Sequence, residues 1–97
     1  MNYIDEIANK IAVRCESDLS TPEYGLLYRI YALLALTTGA NTTSENVHDA
    51  WSAWTAQGGE PHKSLVPFNE LSSSVQDLDN FYRDAIIETA KEYGLLT

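Results

Sequence analysis

Two histidines, two tryptophans and a few isolated cations are the side chains here with chemistry to offer, and their spacing decides which chemistry that is. In Glu45-Asn46-Val47-His48-Asp49-Ala50-Trp51, His48 and Trp51 lie one helical turn apart, so a hydrogen-bonding imidazole and a stacking indole share a face. His48 and Asp49 are adjacent, and adjacent helical side chains diverge by about 100°, so they make no acid-base dyad. His62-Lys63, in a loop whose only nearby acid is Glu60, is the best pair for an anion. Arg29 is the one cation in an otherwise apolar stretch, and it must snorkel to solvent, pair with a carboxylate or meet an anion; Glu45 or Asp49 is the expected partner. Arg83 beside Tyr82 offers a guanidinium and a ring to the same ligand, or else balances an acidic helix.

These are recognition groups rather than bond-making ones. The sequence has no GxGxxG, Walker loop, HExxH, paired cysteines or nucleophile elbow, so an enzyme is not expected. His48 and His62 match no metal-ligand spacing, and neither metal nor cofactor is expected. Fourteen acids against six bases give a net charge of −8, which repels nucleic-acid polymers and anionic membranes. Cys15 is the single cysteine, so no internal disulfide forms, and its expected role is packing. The acidic pair Asp5-Glu6 follows a start with no basic or apolar character, so no export signal is expected, and Ile30 to Leu36 is too short to span a bilayer. A cytoplasmic protein is the expectation.

Helices must position those groups. Ile4, Ile7, Ala8, Ile11, Cys15 and Leu19 recur at three- and four-residue steps, predicting an amphipathic first helix stopped at Ser20-Thr21-Pro22, where Ser20 or Thr21 caps the next. Tyr24 to Leu36 is apolar around most of its circumference and reads as the central helix, with Gly39 as its stop. Thr42 and Glu45 have capping-box spacing for a third helix, in which Val47, Ala50, Trp51 and Trp54 share a face and Asn46 and Asp49 meet the first-turn amides or dipole. After Gly58-Gly59, Pro67 holds Leu65-Val66 extended, and Asn69 caps a single turn to Leu71. The last helix is predicted from Ser72–Ser74 to about Tyr93, with Gly94 as its stop and Leu78, Phe81, Tyr82, Ala85, Ile86, Ala90 and Tyr93 as its buried stripe. The expected fold is therefore all-α: one four-helix domain over residues 1–97, with a short extended segment between helices three and four.

Glu45-Asn46-Val47-His48-Asp49-Ala50-Trp51, followed by His62-Lys63-Ser64-Leu65-Val66-Pro67-Phe68 and Glu70-Leu71, resembles the repeat domain of ryanodine receptors. The resemblance covers 43–95 and leaves the helices over 3–38 outside it. The family's loop usually carries a Gly-Trp-x-Tyr-Gly stretch and several basic residues, whereas Gln57-Gly58-Gly59-Glu60-Pro61 is shorter and acidic. The chain is also similar to small proteins of actinobacteria and their phages. This resemblance implies a sensor of nucleotide-derived ligands, or in a phage a protein that sequesters such a signal.

Two functions are then in view. In the first, a non-catalytic module binds a small anionic, nucleotide-derived ligand through Arg29, Asn46, His48, His62, Lys63 and Arg83, with Trp51 or Tyr82 stacking on it. In the second, the apolar faces of helices one and two, including Tyr24, Tyr28 and Tyr31, pack against another chain or a second copy. His48 and Trp51 are also open to a plain reading, in which His48 ties the loop through backbone carbonyls and Trp51 fills the core.

Overall fold

Four helices follow one another in the computed structural model, which describes residues 2–95: α1 (Tyr3–Arg14), α2 (Pro22–Thr37), α3 (Ser44–Ala56) and α4 (Ser73–Glu92), with single 3-10 turns at Gly39–Asn41 and Phe68–Glu70. This is the all-α four-helix class that the periodicity predicts. Among the described residues no strand forms, and the expected span of 1–97 reaches beyond them at Met1, Leu96 and Thr97.

The helix starts follow local chemistry. The Asn2 side chain accepts from the Asp5 amide at 2.8 Å and opens α1. Thr21 takes the N-cap position of α2 without a side-chain bond, and Pro22 follows at the first helical position, where no amide proton is needed. The capping box of α3 sits one residue later than expected. Thr43 Oγ1 accepts from the Asn46 amide at 3.1 Å and Asn46 Oδ1 accepts from the Thr43 amide at 2.9 Å, while Thr42 is buried and donates to the Gly39 carbonyl at 2.7 Å.

Two helix ends use the same closure with different residues. At α4 the Leu95 amide bonds the Ala90 carbonyl at 2.7 Å and the Gly94 amide bonds Lys91 at 3.0 Å, with Gly94 left-handed at φ +70°. At α1 the Ser17 amide bonds Ala12 at 2.8 Å and the Glu16 amide bonds Val13 at 3.0 Å, with Glu16 in the left-handed position at φ +57°. The first helix therefore ends at Arg14 and not at Ser20, and Leu19 packs on the core from the following loop.

α2 is central, touching α1, α3 and α4. The core joins Ile7, Ala8, Ile11 and Ala12 of α1 with Leu27, Tyr28, Tyr31, Ala32 and Ala35 of α2, Val47 and Ala50 of α3, and Ala85, Ile86 and Ala90 of α4. Alanine makes up half of that set, so the helices approach closely where it lies and rings supply bulk elsewhere. Arg14 ties α1 to α4, donating to Thr89 Oγ1 and Glu92 Oε2, each at 2.9 Å. Cys15 sits half-buried beside Tyr28, and burial pushes its thiol pKa up, in keeping with packing rather than reactivity. Leu78 and Phe81 depart from the expected buried stripe: they are 67% and 54% exposed, because the first half of α4 borders a cleft instead of another helix.

A glutamate in the left-handed position carries a Cβ clash that glycine lacks. Glu16→Gly should stabilise the domain by about 1 kcal/mol, raising Tm by roughly 4–8 °C in a calorimetric scan. An unchanged or lower Tm would show that the loop holds Glu16 there without strain.

Candidate functional site

A cleft of about 520 Å³, within the range of small-ligand pockets, opens between three of the helices. α2 contributes Tyr24, Leu27 and Tyr31; α3 contributes His48, Trp51 and Trp54; α4 contributes Val75, Leu78, Asp79, Phe81 and Tyr82; and Ser64 closes one side from the connection between α3 and α4. The rings brace one another. Tyr24 stacks on Trp54 at 5.8 Å between centroids, Tyr31 meets Tyr82 at 5.8 Å, and Phe81 stands edge-on to Tyr82 at 5.2 Å. Trp54 is further held by Nε1, which donates to the Glu23 carbonyl at 2.9 Å and pins α3 to the first turn of α2.

His48 is buried at the back of this cleft and fastens the connection to α3. Its Nε2 lies 2.6 Å from the Val66 carbonyl, and since a carbonyl only accepts, Nε2 carries a proton and donates it. The ring also lies against Trp51, at 5.8 Å and nearly parallel, and near Phe68. Nδ1 faces Asp79, with Oδ2 at 4.0 Å. Burial pushes the Asp79 carboxyl pKa up from its ordinary value, and the charge of His48 opposes that only in part.

The expected site residues divide. His48, Trp51 and Tyr82 line the cleft, and His62 adjoins it with its ring edge-on to Trp51 at 5.1 Å and its Nδ1 accepting from the Ser64 amide at 3.0 Å. Asn46 is occupied by the α3 cap. Arg29 does not pair with Glu45 or Asp49; its Nε donates to Asp5 Oδ1 at 2.6 Å, because the first turn of α1 packs beside that part of α2. Arg83 borders a separate, more open groove, bonding Asp84 at 2.9 Å and Asn80 at 3.2 Å. Lys63 is exposed and away from the cleft lining. None of these cations lines the cleft, and Arg29 and Arg83 are already paired with acids, so they do not gather there into an anion-binding hollow.

Tyr24, Tyr31, Trp54, Leu78, Asp79 and Phe81 belong to the site beyond the expected set. Asp79 had a readable signal: it interrupts the apolar series Val75, Leu78, Phe81, Tyr82, as Arg29 interrupts that of α2. Among the described residues no three His, Cys, Asp or Glu side chains gather in a way that would hold a metal ion, and no helix is long and apolar enough to cross a membrane.

Because the fold raises the Asp79 pKa, its ionised form is disfavoured in the folded state relative to the unfolded one, and the penalty is fully present above the raised pKa. Asp79→Asn should therefore raise Tm at neutral pH, with the gain shrinking as pH falls through the carboxylate range and the original side chain protonates. A loss of Tm at pH 7 would mean that the carboxylate is a net stabiliser.

Comparison with known proteins corrects the resemblance to the ryanodine receptor repeat, since no such repeat is detected. The residues that carried it have local roles: Asn46 caps α3, His48 ties down Val66, and Trp51 walls the cleft. The likeness to small proteins of actinobacteria and their phages finds no support in the comparison either. No curated protein matches the chain, and neither does any solved structure. The match that spans the sequence, over residues 2–91, is to Domain of unknown function (DUF7701), and the chain belongs to that family.

Proposed function

We propose that this domain is a non-catalytic binding module whose ligand places an apolar or aromatic group in the cleft between α2, α3 and α4. One observation carries this reading: the cleft is lined by Tyr24, Tyr31, Trp51, Trp54, Phe81 and Tyr82, with no lysine or arginine among its lining residues. Rings packed side by side with Leu78 and Phe81 left open to water form a contiguous apolar surface, which costs solubility unless a ligand covers it. Full burial of one such ring is worth about 1.5–3 kcal/mol. The dispersed cations weigh against the nucleotide-derived anion expected from the sequence.

Indole is a suitable neutral probe, followed by amide chemical shifts. Shifts should concentrate at Tyr24, Trp51, Trp54, Leu78 and Phe81, and Trp51→Ala should weaken binding about tenfold, equivalent to about 1.4 kcal/mol. A cyclic dinucleotide should leave both the amide shifts and Tm unchanged. Stabilisation by the nucleotide without a response to indole would overturn the reading in favour of an anion site.

Self-association is supported by a different surface. Leu26 and Leu33, seven residues apart on the outer side of α2, are 39% and 55% exposed with partly buried Ile30 between them, whereas Tyr28 and Tyr31, which the sequence placed on that interface, are buried in the core. A second copy seated on this stripe predicts a concentration-dependent dimer in light scattering that Leu33→Lys abolishes. A monomer at every concentration removes this second reading.

A further inference from the structure

The ligand class for this cleft can be narrowed from the one formal acid inside it. Asp79 is only 17% exposed at its side chain and accepts no hydrogen bond from any described residue. His48 does not meet its need. With Nε2 committed to Val66, a neutral ring turns a lone pair toward Asp79, and even a doubly protonated ring stands at 4.0 Å, beyond hydrogen-bond length. A partly desolvated carboxylate is thus left in a hollow lined by aromatic rings, whose π-systems attract positive charge. Both features favour positive charge, and the net charge of −8 adds a long-range field of the same sign.

We infer that the group seated in the cleft is an organic cation, an alkylated ammonium held against the aromatic rings with Asp79 as its counter-charge. Alkylation follows from the shortage of acceptors. A primary ammonium or a guanidinium brings three to five N–H donors that must all be satisfied. The lining side chains offer few oxygens besides Asp79, Ser64 and the tyrosine hydroxyls, and a quaternary ammonium asks instead for aromatic rings within about 6 Å, of which the lining holds six. This inference rests on the proposed function, since it names the ligand class of the same cleft.

The test pairs choline with 3,3-dimethylbutan-1-ol, which has the same shape with a neutral carbon in place of nitrogen. Both are titrated at fixed ionic strength and followed by tryptophan fluorescence and amide shifts on the unmodified chain. Choline should bind about tenfold more tightly than the alcohol. Asp79→Asn should weaken choline about tenfold and leave the alcohol unchanged. A short peptide carrying one trimethyl-lysine, run alongside, separates a free cation from one presented by a polypeptide, and tighter binding of either supports the inference. Equal binding of choline and the alcohol overturns it. If choline fails while indole still binds, only the cation falls; if indole fails as well, the reading of the cleft falls with it.

Discussion

The structure depends on covering α2. This helix is apolar around nearly its whole circumference, a pattern that is stable in water only when other elements enclose it. α1, α3 and α4 each pack against it, but a three-helix cover does not close evenly. Ala32 and Ala35 in its second half meet a core rich in alanine, including Ala85 and Ala90 of α4, and there the helices come close. Tyr24 and Leu27 in its first half, and Tyr31 just past its middle, lie opposite Trp51 and Trp54 of α3 and Val75 to Tyr82 of α4. Side chains of that size hold their helices apart, and the cleft is the space they leave. One choice of side-chain volumes along a single helix therefore sets both the core and the site.

Periodicity and capping chemistry made most of the fold readable in advance. α2 began at its proline and α4 ended at its glycine, because those residues restrict backbone torsions whatever the surroundings. Where the signal was ambiguous, tertiary structure decided. α1 ended five residues earlier than its apolar spacing implied, since Glu16 took a left-handed conformation that no sequence pattern marks. Thr42 and Thr43 both had the chemistry to cap α3, and the burial of Thr42 against Gly39 left the role to Thr43. The apolar stripe of α4 was correct in position and misleading in meaning, because spacing shows which residues share a face and not whether another helix covers it.

The candidate site was less legible for the same reason. The cations are few, yet Arg29, Lys63 and Arg83 sit on three separate segments, and Arg29 and Arg83 each pair with an acid within reach, Asp5 and Asp84. Asp5 is distant from Arg29 in sequence and adjacent in the fold, a pairing that needs the α1–α2 packing to be known. What did survive was the turn linking His48 and Trp51, since residues one helical turn apart stay neighbours in any fold that keeps the helix.

The bond from His48 to Val66 has a further consequence. The connection between α3 and α4 is tied back by this bond and by Gln76, whose Nε2 donates to the Phe68 carbonyl at 2.9 Å, and the hydrogen that His48 uses sits on Nε2. The other ring nitrogen, Nδ1, lies on the opposite edge and faces Asp79. One imidazole thus serves two neighbours: one edge latches the incoming chain to α3, while the other forms the wall beside the single acid of the chamber.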